Sequence, residues 1–246
     1  MANNTTYIVK PKAEHTHTVI FLHGGNSSCR EFADEFLESE ASKIVDQPRM
    51  LPAIFPNIRW VFTSAPLLKS ERYGIEMSQW FDMWSLETPT ERPELQQSGL
   101  DRNIDKIFKV TKEEGYLLPK EKIFLGGIGQ GFATIIAVFL TILTKGDPSK
   151  KFAGLIGLCS WIPAALLGAR DYQRFDRRAT IGSTPIFLGH TEDDDIVPIE
   201  YGRELRDFFS SQGHRVEWTE YDEGGHWVNE PQGVDDIIRF IKQHMT

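Results

Sequence analysis

The regular alternation of two kinds of segment is the feature that most constrains the fold of this chain. Short runs rich in β-branched and aromatic residues are typical of buried strands, and they occupy residues 17–25, 58–66, 122–127, 153–160, 184–190 and 215–222. Segments with helical periodicity lie between them or follow them, at residues 30–46, 99–115, 131–145, 199–212 and 232–245. This alternation predicts an α/β fold, with a mostly parallel central sheet and helices on both faces.

Length and composition predict a single domain over residues 1–246. Its apolar content of 40% can fill one substantial core, and we find no internal repeat, low-complexity stretch or clear linker. The longest stretch without periodicity is 67–98, which contains the aromatic residues Trp80, Phe81 and Trp84. Long loops inside compact domains are usually functional or disordered, and with these aromatic residues to pack we expect an ordered flap over the active site.

Charge and cysteine usage argue against several classes of function. The net charge is −8 and the basic residues are scattered, so we expect no nucleic-acid partner. Cys29 and Cys159 are far apart, which indicates neither a disulfide framework nor a zinc site. The beginning of the chain lacks the apolar core of a signal peptide, and the apolar run 132–143 is too short to span a bilayer. We therefore expect a cytoplasmic protein without integral membrane association, whose oligomeric state the sequence leaves open.

The end of the strand at 122–127 resembles a nucleophile elbow without its nucleophile. In the G-x-S-x-G elbow a serine sits on a tight turn between strand and helix, but the run GIGQG at 127–131 has Gly129 in that place. Glycine adopts the strained elbow conformation cheaply, and Gln130 would open the helix with an unpaired backbone N–H. A dinucleotide-binding loop is the rival interpretation, but the G-x-G-x-x-G spacing fails because Phe132 is the sixth residue counted from Gly127.

Three further strand ends carry residues that suit catalysis. The run HGGN at 23–26 is either an oxyanion-binding loop or a plain turn. The run TEDDDIVP at 191–198 is either a site for a hard cation, although oxygen ligands usually need spaced positions, or a solvated acidic turn. His226 lies in a glycine-flanked loop beyond the last strand. Because ligands of α/β proteins bind at the carboxyl ends of the strands, these loops should meet. A nucleophile turn, then an acid, then a histidine is the chain order of α/β-hydrolases.

From about residue 17 to its end, the chain resembles the acyl-protein thioesterase / phospholipase-carboxylesterase family of α/β-hydrolases. The resemblance rests on motifs that include FLHGG, WFDMWSL, KIFLGGIGQGFA, GHTEDDDIVPIEYG and YDEGGHW. It implies an α/β-hydrolase fold and hydrolysis of a carboxylic ester or thioester substrate, without a cofactor, and we expect no metal site.

The resemblance also assigns the catalytic residues. Members of the family have a G-F-S-Q-G elbow, so Gly129 stands at the nucleophile position. In the H-x-x-x-D-x-x-V-P register, His190 and Pro198 identify Asp194 as the triad acid, between the flanking charges of Asp193 and Asp195. His226 is then the triad histidine.

The resemblance places further residues around the substrate. The backbone N–H groups of Gly25 and Gln130 would form the oxyanion hole, and Trp80 and Trp161 would lie near the acyl channel or serve as core packing. The family usually has H-G-x-G-D where this chain has HGGNS at 23–27. This departure leaves the substrate undefined among lipids, acylated proteins and small metabolites.

Three hypotheses account for Gly129. The first is an ester or thioester hydrolase in an engineered inactive form that lacks its nucleophile. The second is a natural enzyme without a covalent step, in which His226 and Asp194 activate water in the space of the missing hydroxymethyl group, or perform cyclisation or retro-aldol chemistry. The third is a non-catalytic binder of an acyl ligand or partner protein. A substitute nucleophile is disfavoured, because none of Ser27, Ser28 and Cys159 lies on the elbow.

Overall fold

The computed structural model describes residues 6–145, 151–167 and 184–245, and it contains a central seven-stranded sheet. The chain order of its strands is β1 (Thr6–Val9), β2 (His17–Leu22), β3 (Ile58–Thr63), β6 (Ile123–Ile128), β7 (Gly154–Leu158), β8 (Ile186–Thr191) and β9 (Val216–Tyr221). In space the order is β1-β3-β2-β6-β7-β8-β9. Only β1 is antiparallel to its neighbour, and the other pairs are parallel. The predicted fold class is therefore confirmed.

Helices cover both faces of this sheet. They are α1 (Cys29–Glu38), α2 (Leu51–Ile54), α3 (Glu94–Glu114), α4 (Gln130–Lys145), α5 (Ala164–Leu167), α6 (Ile199–Ser211) and α7 (Gln232–His244). Successive side chains of a strand point to opposite faces. Accordingly, Ile20 of β2 belongs to the core cluster that includes residues of α3, α4 and α6, whereas the adjacent Phe21 belongs to the cluster that includes residues of α1 and α7.

The segment 67–98 is ordered and packs tightly against the helices below it. It begins with a hairpin of β4 (Leu67–Lys69) and β5 (Glu76–Ser78), and α3 begins within it at Glu94. At Gly99 in α3, an added Cβ would lie 2.6 Å from the Cα of Phe81, so the helix and the segment are in close contact. The side-chain amide of Asn103 donates to the backbone oxygens of Trp80 and Gly99.

Two predicted helix boundaries were wrong, and each has a local cause. The helix predicted at 30–46 ends at Glu38, because the chain turns away there and Glu40 forms a bridge with Met50. The helix predicted at 99–115 begins five residues earlier, at Glu94, and its polar first turn contains the buried Gln96. The side chain of Gln96 donates to the backbone oxygen of Pro89 and accepts from the backbone N–H of Ala165.

Within the described ranges, no helix combines the length and the apolar character that crossing a bilayer requires. The single domain over 1–246 stays a prediction, and residues 1–5, 146–150, 168–183 and 246 lie outside the part of the chain that the structure describes.

Candidate active site

The elbow at Gly129 is a sharp turn that joins β6 to α4. Its φ of 52° lies in the left-handed region, where a side chain is strained. The N–H of Gly129 donates to the carbonyl of Leu158 at 3.0 Å, and the hydroxyl of Ser160 donates to the carbonyl of Gly129 at 2.8 Å. Two bonds from the end of β7 therefore fix the orientation of the elbow.

The flanking glycines of the elbow are needed for space. A Cβ at Gly127 would lie 2.7 Å from the backbone nitrogen of Phe132. One at Gly131 would overlap the carbonyl oxygen of Leu22 and lie 2.5 Å from that of His23. The glycine spacing of the elbow thus permits strand β2 and helix α4 to approach each other.

Asp194 and His226 form a hydrogen-bonded pair beside the elbow. The Nδ1 of His226 is 2.9 Å from Oδ2 of Asp194, and the carboxylate is buried. The backbone N–H groups of Ile196 and Val197 donate to Oδ1 at 2.9 and 2.8 Å. Burial alone would raise the pKa of Asp194, but hydrogen bonds from His190, His226 and Val197 outweigh it and hold the pKa well below its ordinary value. An ionised carboxylate can only accept, so Nδ1 of His226 carries the proton.

His190 is a second imidazole on the same carboxylate. Its Nε2 is 2.9 Å from the carbonyl oxygen of Val197 and 3.2 Å from Oδ2 of Asp194, and both side chains are fully buried. In the sequence this histidine serves only to set the register of the motif that contains Asp194. The spacing of four positions between His190 and Asp194 is the feature of the sequence that could have indicated their contact.

Asp193 anchors the loop that carries the histidine. Its carboxylate accepts from the N–H groups of Gly225 and Gly224 at 2.8 and 3.2 Å. The hydroxyl of Thr191 donates to the carbonyl of Gly225 at 2.5 Å. In the sequence Asp193 and Asp195 are both flanking charges, but in the structure Asp193 holds a loop whereas Asp195 lines a cavity.

The imidazole of His226 stands directly over the bare backbone of Gly129. An added Cβ at Gly129 would lie 2.7 Å from Nε2 and 3.2 Å from Cε1 of this ring. The first distance is shorter than side-chain carbons normally tolerate. The nitrogen therefore occupies part of the volume that the side chain of a nucleophile would fill.

Gly25 and Gln130 line the same cavity, and an oxyanion hole formed by their N–H groups stays a prediction. No acceptor among the described residues takes up the N–H of Gly25 or of Gln130, and both residues line the cavity together with His226. The side chain of Gln130 has a separate task that the sequence did not suggest. Its amide accepts from the N–H of Trp80 and donates to the carbonyl of Phe81, both at 2.9 Å.

His23 holds the loop that contains Gly25. The N–H of Ala65 donates to Nε2 of His23 at 2.9 Å, so Nδ1 is the protonated nitrogen and donates to the carbonyl of Gly24. The indole N–H of Trp80 donates to the carbonyl of His23 at 2.8 Å. Burial lowers the pKa of His23 to about 4, so the ring is neutral at physiological pH.

The cavity above the elbow has a volume of about 420 Å³. The segment 67–98 supplies much of its wall, and these lining residues are Ser70, Arg72, Tyr73, Met77, Gln79, Met83, Trp84, Ser85, Leu86 and Glu87. Of the two tryptophans expected near an acyl channel, Trp161 lines the cavity. Trp80 is fully buried and is not part of the wall, and its indole N–H donates to the carbonyl of His23.

Cys159, His190 and Asp194 offer possible metal-ligand atoms within 4.8 Å of one another. The donor set does not suit a metal ion. Burial and the nearby charge of Asp194 raise the pKa of the Cys159 thiol well above its ordinary value, and metals bind the thiolate. The side chains of Asp194 and His190 are already engaged in hydrogen bonds. We assign these residues to the support of His226.

The fold and the loops at the carboxyl edge of its sheet define the chain as an α/β-hydrolase. The model of the family described as Phospholipase/Carboxylesterase matches residues 3–245, and the chain belongs to this family.

Comparisons of sequence and of structure find proteins similar to this chain. Acyl-protein thioesterase 1 of Cryptococcus neoformans is 29% identical over 204 residues, which cover 81% of this chain and 75% of that protein. Acyl-protein thioesterase 1 of Yarrowia lipolytica is 27% identical and covers 96% of both chains. The crystal structure of Zea mays acyl-protein thioesterase 2 superimposes with a TM-score of 0.74 at 20% identity, covering 98% of this chain and 99% of that one. Arabidopsis thaliana SOBER1 gives 0.72 at 21% identity, with 94% and 99% covered, and both structures support the fold.

Proposed function

We propose that this chain is an ester- or thioester-hydrolase scaffold that has lost its serine nucleophile and retains the remaining catalytic groups. The observation that carries the proposal is the Asp194–His226 pair, which holds Nε2 of the histidine against the elbow residue Gly129. In a serine hydrolase, the serine attacks the carbonyl, the histidine takes its proton, and the aspartate orients the imidazole. Gly129 has no side chain that could make the attack.

The expected behaviour is binding of acyl compounds with very little turnover of ordinary esters. Removal of a triad nucleophile leaves a residual acceleration of roughly 10³–10⁴ over water, from the oxyanion hole and binding. The names of the relatives favour protein-bound acyl groups as substrates, and the cavity lined by Trp161, Met83 and Leu86 suits an acyl chain.

The substitution Gly129→Ser tests this proposal. We expect kcat/KM for p-nitrophenyl butyrate and for a short acyl thioester to rise by at least about 10³-fold, because the covalent step is restored. The new Cβ lies 2.7 Å from Nε2, so the ring of His226 must move back slightly. We expect the left-handed backbone to cost about 1–3 kcal/mol of stability.

Two matched variants make the result specific. Gly129→Ala introduces the same Cβ and backbone strain without a hydroxyl, and Gly129→Ser/His226→Ala removes the base. Neither should hydrolyse the esters, and only Gly129→Ser should react with a fluorophosphonate probe. A folded Gly129→Ser protein that is inert to the probe and to all esters and thioesters would overturn the proposal.

A non-covalent acid–base enzyme is the second candidate, because the ionised Asp194 keeps a lone pair on Nε2 of His226 directed at the cavity. A water at the elbow would require the imidazole to withdraw from its position over Gly129. Turnover of a cyclisation or retro-aldol substrate by the Gly129 protein, lost in His226→Ala and in Gly129→Ser, would favour this candidate.

A further inference from the structure

Nε2 of His226 is the reactive group that faces the cavity at the elbow. In a serine hydrolase, the same nitrogen acts as the base for the serine. His226 lines the cavity, whereas Gly129 lies behind the imidazole and is not part of the wall. Nε2 makes no hydrogen bond to any of the described residues, and Nδ1 is engaged by Asp194. An imidazole held in this way has a free lone pair at the place where a nucleophile of the fold would act.

We propose that His226 is itself the acyl acceptor of this protein, and that its Nε2 takes the acyl group from thioesters and aryl esters. The inference rests on the proposed function, since it uses the same acyl cavity and the same oxyanion donors on Gly25 and Gln130. Histidine is one of the side chains that form covalent intermediates in enzymes.

The reaction needs no cofactor or oxidant. The lone pair of Nε2 attacks the carbonyl carbon, and the carbonyl π electrons move to the oxygen, where the N–H groups of Gly25 and Gln130 stabilise the charge. The intermediate collapses as the C–S bond breaks, and the thiolate leaves with the electron pair. Water then adds to the acyl carbon, the N–C bond breaks, and its electrons return to Nε2. Of the two protons that the water supplies, one protonates the thiolate and the other enters solvent as the carboxylate is released.

Leaving-group chemistry restricts the substrates. Imidazole is itself a good leaving group, so the tetrahedral intermediate formed by His226 goes forward only if it expels a thiolate or an aryloxide. An alkoxide is a poorer leaving group than imidazole, and the intermediate from an alkyl ester therefore returns to reactants. A serine at position 129 would not discriminate in this way, because the protonated histidine assists departure of the alkoxide.

Glycine is required at position 129 for this activity. The methyl group of Gly129→Ala would lie 2.7 Å from Nε2 and 3.2 Å from Cε1, and would displace the ring from the reacting carbon. The absence of a side chain at Gly129 is therefore what allows Nε2 of His226 to reach the cavity.

Detection of the adduct is the direct experiment. The unmodified Gly129 protein is incubated with p-nitrophenyl pivalate, whose hindered acyl group slows hydrolysis of the acylimidazole, then quenched in acid and digested with trypsin. Residues 216–239 form one tryptic peptide with a single histidine, His226. We expect a burst of one equivalent of p-nitrophenolate and the pivaloyl mass on this peptide. Acylation should exceed that of the partly exposed His15 and His244 by about 10²-fold, the value of an oxyanion donor.

The variants distinguish failure of this inference from failure of the proposed function. His226→Gln should abolish the burst, and Gly129→Ala should reduce it at least about tenfold if the displaced nitrogen loses its oxyanion donors. If Gly129→Ser is acylated at its serine while the Gly129 protein shows no selective adduct, the inference is wrong and the proposed function stands. If both proteins remain unmodified, both ideas fail. An adduct on His226 beside an inert serine variant would support the inference and contradict a serine-hydrolase origin of the site.

Discussion

The glycines of the elbow are required for two different physical reasons. Gly129 has a φ of 52°, which an L side chain rarely adopts, so its constraint is conformational. Gly127 and Gly131 are constrained by space, because backbone atoms of β2 and α4 occupy the position of any added Cβ. At Gly25, in the loop after β2, an added Cβ would meet no heavy atom within 4 Å apart from its chain neighbours, so space does not require glycine there.

This difference predicts contrasting effects of two alanine substitutions. Gly131→Ala should destabilise the protein by about 3 kcal/mol, since the overlapping atoms belong to the backbone of Leu22 and His23 and cannot rotate away. Gly25→Ala should change the free energy of unfolding by less than about 0.5 kcal/mol. Urea denaturation of both variants measures the effect, and equal midpoints would contradict the packing argument.

At the scale of secondary-structure elements, two helices hold the same dipeptide of the cavity wall. Gln130 at the beginning of α4 bonds to the N–H of Trp80 and the carbonyl of Phe81, and Asn103 of α3 bonds to the carbonyl of Trp80. Gln130, whose backbone N–H we propose as an oxyanion donor, thus also positions the segment that forms much of the cavity wall. This coupling connects the elbow to the 67–98 segment, about 50 residues earlier in the sequence.

The substitution Gln130→Met tests the coupling between helix α4 and the wall. It removes both hydrogen bonds and leaves a buried N–H and a buried carbonyl unpaired, so we expect a loss of about 2–4 kcal/mol in the free energy of unfolding. Gln97→Met on the exposed face of α3 is the matched control, with an expected change below about 0.5 kcal/mol. Thermal or urea unfolding compares them, and a Gln130→Met protein as stable as the control would show that the two bonds contribute nothing.

At the scale of the whole molecule, the parallel sheet brings distant loops to one edge. Loops after β2, β6, β8 and β9 supply Gly25, Gly129, Asp194 and His226, because parallel strands all end at that edge. The loop after β2 is fixed by a buried neutral histidine, His23, whose contacts reach Ala65 beyond β3. At mildly acidic pH, the imidazole of His23 is therefore neutral in the folded protein, whereas it would be protonated in the unfolded chain.

His23 should make global stability depend on pH. Its pKa is about 4 in the folded protein, against an ordinary value of 6.5. Between these values the unfolded chain binds more protons, so stability is fully present above about pH 6.5 and decreases as pH falls toward 4. Around pH 5, His23 should contribute a slope of about 1.2 kcal/mol per pH unit.

His23→Gln keeps an acceptor for the N–H of Ala65 but cannot titrate. The dependence of its unfolding free energy on pH, measured from pH 4 to 8, should be shallower than that of the parent protein by this slope. Parallel curves would show that His23 is not the titrating group.

The sequence by itself determined the five inner parallel strands and β9, because hydrophobic and aromatic patterning is a local property. The inner strands are buried almost throughout, whereas the edge strand β9 is only partly buried and is marked in the sequence by its aromatic and β-branched residues. It did not reveal β1 or the β4–β5 hairpin, which are short and half exposed and depend on pairing with other strands. The sequence also shows the chain order of elbow, acid and histidine, and the absence of a side chain at Gly129.

Only the tertiary structure decided that His190 shares the carboxylate of Asp194, that Trp80 is buried outside the cavity wall, and that Nε2 of His226 occupies the volume next to Gly129. Those facts depend on distances of a few ångströms between residues far apart in the chain, and such distances are set by packing rather than by local pattern.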